Sequence, residues 1–150
     1  MESWPSKDHL DAKGRDKLED LYLAEVRYGG GKGGIKALQF VDSDGDTSPV
    51  YGQFTKKEVT SNDYQESLIL TKEVKIVQLV FDSYKNLMMM RFFTKLGHVI
   101  GEIGSQSYHK LTETININDA EQLVGFNFSQ FVGHKYFTKV SLRCINLDQF

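Results

Sequence analysis

Ile76-Val77-Gln78-Leu79-Val80-Phe81, followed across the polar loop Asp82-Ser83-Tyr84-Lys85-Asn86 by Leu87-Met88-Met89-Met90-Arg91-Phe92, reads as two β-strands joined by a turn. Both runs are rich in branched, aromatic and thioether side chains, too short for a helical apolar period, and bounded by turn-forming residues. Each has the form apolar-x-x-apolar-x-aromatic. Outward from this pair the form recurs: upstream as Leu23-Ala24-Glu25-Val26-Arg27-Tyr28 with Ile35-Lys36-Ala37-Leu38-Gln39-Phe40, downstream as Leu123-Val124-Gly125-Phe126-Asn127-Phe128 with Phe137-Thr138-Lys139-Val140-Ser141-Leu142. The first runs start 53 and 47 residues apart. One hairpin repeated three times predicts three sheets of similar build. Within each run the last two apolar positions share a strand face and the first falls on the other, which predicts a bulge or burial at the strand's entry.

Between and around these hairpins, further short runs complete the expected strands: 21–28, 35–41, 50–54, 66–71, 74–83, 87–94, 98–103, 114–117, 122–128 and 136–145. After position 21 no stretch of twelve residues keeps a helical period, so the fold class is all-β: a sandwich, a barrel or a prism. The first twenty residues differ. Ten of them are charged, and beyond Met1 only Trp4, Leu10, Ala12 and Leu18 are apolar, so residues 1–20 are expected to form a charged N-terminal extension that adds little to the core, with residues 21–150 as the folded domain. Leu10, Leu18 and Leu21 are spaced for a short helix, against which Gly14 costs about 1 kcal/mol relative to Ala.

The 150 residues, 40% apolar and 25% charged, suffice for one domain that needs no staple. With 18 basic against 20 acidic side chains there is no basic excess to neutralise a phosphate backbone, so no nucleic-acid partner is expected. No apolar run reaches the roughly 20 residues of a membrane span, and the first residues lack the basic-then-apolar plan of a signal peptide; a soluble, cytoplasmic protein without membrane insertion is expected. Cys144, the single cysteine, forms no internal disulfide, and alternation places it on the core face with Leu142.

In the order and spacing of its motifs the chain from Leu21 to Ile145 resembles the jacalin-related lectin family. Three segments carry the likeness: Glu66-Ser67-Leu68-Ile69-Leu70-Thr71-Lys72-Glu73-Val74-Lys75-Ile76-Val77-Gln78-Leu79, then Met90-Arg91-Phe92-Phe93-Thr94-Lys95-Leu96-Gly97, and finally Leu123-Val124-Gly125-Phe126. The resemblance implies a β-prism of three four-stranded antiparallel sheets with pseudo-threefold symmetry. It also implies carbohydrate binding, through a Gly-x-x-x-Asp loop near the C-terminus and a glycine-rich loop near the N-terminus. The aspartate would accept two sugar hydroxyls as an ionised acceptor. Here the pattern departs. His134 stands where the Gly belongs and Thr138 where the Asp belongs; shifting to Gly133 puts Phe137 in the aspartate's place. The pseudo-equivalent loops offer Lys32 with Lys36 and Tyr84 with Met88, again without the carboxylate. At about 1.5–3 kcal/mol for each charge-assisted hydrogen bond, its loss weakens sugar binding by roughly 100-fold or more.

The candidate ligand loops are therefore Gly29-Gly30-Gly31-Lys32-Gly33-Gly34 and the segment holding Phe131, Gly133, His134, Lys135 and Tyr136, with Phe131, His134 or Tyr136 available to stack on a sugar face. A phosphate-loop reading of the glycine run fails, because no Ser or Thr follows the lysine and a strand pattern begins where a helix is needed. Asp42-Ser43-Asp44-Gly45-Asp46 alternates carboxylates but lacks EF-hand spacing; it reads as a solvated turn before it reads as a weak calcium site. His9, His98, His109 and His134 show no ligand or triad spacing, so no metal, cofactor or enzymatic activity is expected. Met88-Met89-Met90 is expected to be covered on both faces, within the prism or by the N-terminal arm; left uncovered, it would show a soft apolar patch on whichever face is not core. Two functions stand: a non-enzymatic binding or structural module with a degenerate sugar site, contacting a protein partner or forming a homo-oligomer, and a lectin that binds glycan through a non-standard loop.

Overall fold

The computed structural model describes residues 2–30, 34–52, 66–104, 111–129 and 137–149. The chain opens with a short strand β1 (Glu2–Trp4) and two short helices, α1 (Lys7–Lys13) and α2 (Arg15–Glu19). Ten strands follow: β2 (Leu23–Gly29), β3 (Ala37–Asp42), β4 (Tyr51–Gly52), β5 (Glu66–Ile69), β6 (Ile76–Phe81), β7 (Leu87–Phe93), β8 (Val99–Gly104), β9 (Leu111–Asn116), β10 (Glu121–Ser129) and β11 (Thr138–Asn146). Each expected strand has a counterpart, trimmed or extended at its ends. They pair antiparallel in three separate sheets, ordered β4-β3-β2-β5, β8-β7-β6-β9 and β11-β10-β1. The three repeated hairpins are the central pairs β2–β3, β6–β7 and β10–β11.

The repeat pattern predicts the bulges in two of three copies. Register shifts fall between Leu23 and Glu25 and between Leu123 and Gly125. There the extra residue turns Leu23 with Val26, and Leu123 with Phe126, onto the same buried face. β6 itself has no extra residue; the shift opposite Val80 and Phe81 adds Met88 to β7, at the entry of the second run. Plain alternation buries Val77 and Leu79, and Ile76 stays half-exposed.

One apolar cluster draws on all three sheets. At its centre Phe126 of β10 lies 5.5 Å from Phe40 of β3 and 6.4 Å from Phe92 of β7, ring centre to ring centre, and all three rings are fully buried. Each such burial contributes about 1.5–3 kcal/mol. Among the described residues the third sheet has three strands where four are expected.

The first twenty residues are the main departure. Trp4 is 8% exposed and belongs to the core cluster, and β1 pairs with β10 through Glu2–Phe128, Ser3–Asn127 and Trp4–Phe126. The expectation of little core contribution rested on charge density. One tryptophan beside a strand pair outweighs it, because an indole buries more apolar area than any single aliphatic side chain. The helical spacing is realised as two helices broken at Gly14, whose φ of 83° ends α1. Ser6 caps α1 by accepting from the His9 N–H at 3.1 Å.

Candidate functional site

Strand pairing brings the described flanks of the candidate loops to one end of the molecule. Gly29 faces Ala37, Ala37 faces Gly52, and Tyr28 faces Glu66, so these positions lie at one end of the first sheet. Phe81 faces both Leu87 and Leu111 at the corresponding end of the second sheet, and Ser129 faces Thr138 in the third. The sheets join there. The Leu87 N–H donates to the Phe137 carbonyl at 2.8 Å, and Gly34 lies so close to Met88 that a Cβ would meet its sulfur and methyl at 2.8 Å. Gly30 approaches the Gly34 carbonyl as tightly, a Cβ falling 2.1 Å from that oxygen. The glycines at both described ends of the first loop are thus required by close approach. Tyr28 donates to the Glu66 carboxylate; burial first, then that acid, pushes its hydroxyl up to about 12.

Of the sequence candidates, Gly29, Gly30 and Gly34 stand at this end, and the flanks of both loops meet on Leu87–Met88. Gly31, Lys32, Gly33, Phe131, Gly133, His134, Lys135 and Tyr136 lie outside the described residues. Thr138, placed by the resemblance where the sugar-binding aspartate belongs, is 9% exposed, and its hydroxyl donates to the Ser129 carbonyl at 3.3 Å. Its polar group closes its own hairpin. In the second repeat the equivalent turn is built on Asp82, whose Oδ1 accepts from the N–H groups of Tyr84 (2.8 Å) and Asn86 (3.0 Å). That arrangement leaves Tyr84 83% exposed at the tip, while Met88, its companion in the sequence reading, is buried beneath Gly34. Of the two readings of the methionine strand, the structure shows the covered one: Met88, Met89 and Met90 are each at most 3% exposed.

The acidic turn is not merely solvated. Asp42 is 1% exposed, and its Oδ1 accepts from the N–H groups of Asp44 and Asp46, each at 3.0 Å. Lys13 of α1 reaches into the turn, its Nζ 3.1, 2.8 and 2.6 Å from carboxylate oxygens of Asp42, Asp44 and Asp46. Burial alone would lower the ammonium's pKa; hydrogen bonds to Asp44, Asp46 and Asp42 outweigh it and raise it well above the ordinary lysine range. The hydrogen bond from Lys13 holds Asp46 below its usual value. Ligand atoms of His9, Asp42 and Asp46 lie within 4.8 Å of one another, a set that suits a divalent cation, but the lysine already supplies the positive charge. The signal was in the sequence: alternating aspartates and a lysine in the last turn of a capped helix. Their pairing across 29 residues was not.

A second open cleft of about 570 Å³ lies at the opposite end, lined by Lys72, Lys75, Lys95, His98 and Asp119. There Lys95 pairs with Asp119 at 2.6 Å, and Lys75 donates to the Glu121 carbonyl. Cys144 is half-buried, and burial, then Glu121, pushes its thiol up to about 11, which keeps it unreactive near neutral pH.

No family model matches the chain, and no curated protein matches it. Among solved structures it is similar to the Calsepa lectin, crystallised in complex with a biantennary N-glycan, at 17% identity and a TM-score of 0.55 over 83% of each chain. The fold is lectin-like. A weaker likeness, with a TM-score of 0.48 and 16% identity, is to the V. cholerae biofilm matrix protein Bap1, over 83% of this chain and 20% of that one. Among the described residues no helix is long and apolar enough to cross a membrane.

Proposed function

We propose that the chain is a non-enzymatic β-prism binding module with a degenerate sugar site, used for protein interaction or as a structural subunit. One observation carries this reading. Where the family resemblance calls for an outward carboxylate there is Thr138, with its hydroxyl hydrogen-bonded inside the hairpin. A neutral hydroxyl so engaged replaces neither the charge nor the two acceptor contacts of an aspartate. The likeness to a lectin supports the non-enzymatic class and the prism arrangement of the three sheets.

A second reading, glycan binding through a non-standard loop, draws on Tyr84, an exposed ring on a turn made rigid by Asp82, suited to stacking on a sugar face. A glycan array probed with the full chain separates the two. The expected result is no capture above background. Specific capture that is lost in a Lys32→Ala, His134→Ala double variant or in Tyr84→Ala overturns the proposal in favour of the lectin reading.

A further inference from the structure

Among the described residues four buried side-chain atoms lack a hydrogen-bond partner, and three of them gather where α1 docks on the turn after β3: Trp4 Nε1, His9 Nε2 and Asp42 Oδ2. The Trp4 ring packs on the His9 imidazole at 4.7 Å between ring centres. His9 Nε2 in turn stands 3.5 Å from Asp42 Oδ2 and 3.4 Å from Asp46 Oδ2. The Asp42 side chain is wholly shielded from solvent; its Oδ1 takes two backbone N–H groups of the turn, and its Oδ2 has only the ion pair with Lys13 at 3.1 Å. A buried carboxylate oxygen so short of donors, aimed at an imidazole nitrogen that also lacks a partner, is costly unless the two share a third group.

Distance and charge identify that group. A hydrogen bond would draw nitrogen and oxygen to about 2.9 Å. Separations of 3.4 and 3.5 Å are instead the edges of a tetrahedron around an ion bound at about 2.1 Å. Lys13 supplies one positive charge against the three carboxylates of Asp42, Asp44 and Asp46, so two negative charges remain, the charge of one divalent cation. Lys17 bears on Asp46 only through space. The ammonium is no obstacle, since each carboxylate oxygen has two lone pairs and can serve Lys13 and an ion together. One imidazole nitrogen with two carboxylate oxygens suits an ion of zinc's borderline softness, whereas Ca²⁺ prefers six to eight oxygens at about 2.3–2.6 Å.

We infer that His9, Asp42 and Asp46 bind a divalent transition-metal ion of the zinc class, which clamps α1 onto the turn after β3. The set is prepared for it. Trp4 supports the imidazole, backbone N–H groups fix Asp42, and the partly exposed His9 and Asp46 open the site to solvent. Asp42 ends β3 opposite Leu23, whereas the glycine loop leaves the other end of the same pair at Gly29 and Ala37, so the metal site is separate from the candidate sugar loops.

Isothermal titration calorimetry of the untagged full chain with Zn²⁺ is expected to show one saturable site whose filling raises the unfolding midpoint, an effect reversed by a chelator. His9→Gln and Asp46→Asn, both at partly exposed side chains, are each expected to weaken binding by roughly 10- to 100-fold. His98→Gln, in the turn between β7 and β8, is expected to leave it unchanged. Co²⁺ in place of Zn²⁺ is expected to quench the emission of Trp4, the single tryptophan, through its contact with His9. The inference is overturned by the lack of saturable zinc binding, by binding that both ligand variants leave unchanged, by bound cobalt that leaves the emission unaltered, or by Ca²⁺ competing on equal terms.

Discussion

At the scale of single residues the tightest arrangement is Lys13 among Asp42, Asp44 and Asp46. Asp42 is wholly enclosed, so its charge is tolerated only because two backbone N–H groups and an ammonium surround it. Removing the ammonium leaves a buried carboxylate unpaired. Lys13→Met is expected to lower stability by about 3 kcal/mol in urea unfolding, and adding Asp42→Asn to recover part of that loss. The same cluster sets an acid limit. Asp46 has a lower pKa folded than unfolded, so its contribution is present above the ordinary carboxylate value of about 4 and is lost as pH falls through the folded value. Lys13, raised on folding, keeps its contribution throughout that range and loses it only in strong base. Trp4, the single tryptophan, lies 4.7 Å from His9 on α1. Its emission is therefore expected to shift red as pH falls below about 4 and α1 loosens.

Among elements, β1 shows best how local composition and tertiary packing part company. Three residues have no strand signal of their own, and their surroundings are charged. They are held by a place prepared in β10: at Gly125, beside the bulge, a Cβ would fall 1.8 Å from the Trp4 carbonyl oxygen. Backbone meets backbone there, so no rotamer change relieves the clash. Gly125→Ala is expected to expel β1 and unseat Trp4, with a loss of about 3 kcal/mol or more in thermal or urea unfolding and a red-shifted tryptophan emission in the folded protein. The ten other strands were legible because each lies in a short run of branched, aromatic or other apolar residues bounded by turn-forming neighbours. The bulges at Leu23 and Leu123 were legible because two apolar residues three apart reach one face only if the strand gains a residue. In the second copy the extra residue is instead Met88, at the entry of β7, opposite Val80 and Phe81.

For the whole molecule the deciding feature is that three hairpins, separated in sequence by about fifty residues, bring Phe40, Phe92 and Phe126 to one centre. Phe126→Ala removes the ring shared by the other two sheets and is expected to cost about 4 kcal/mol while broadening the unfolding transition, as read by calorimetry. Half of the candidate site follows from sequence. A glycine run in one hairpin and an aromatic, basic stretch in another mark the loops, but Gly34 and Phe137 meet on Leu87 and Met88 only because the sheets pack side by side. The sequence by itself determined the all-β class, the three-fold recurrence of hairpins and the absence of an aspartate at the position held by Thr138, since strand propensity, turn chemistry and residue identity are local properties. Tertiary structure alone decided that Trp4 is core, that Lys13 neutralises the acidic turn, that the methionine strand is covered on both faces and that Phe137 meets Leu87 across two sheets. Each of these depends on which distant surface arrives opposite, and burial and pairing across a hundred residues leave no period in the chain that forms them.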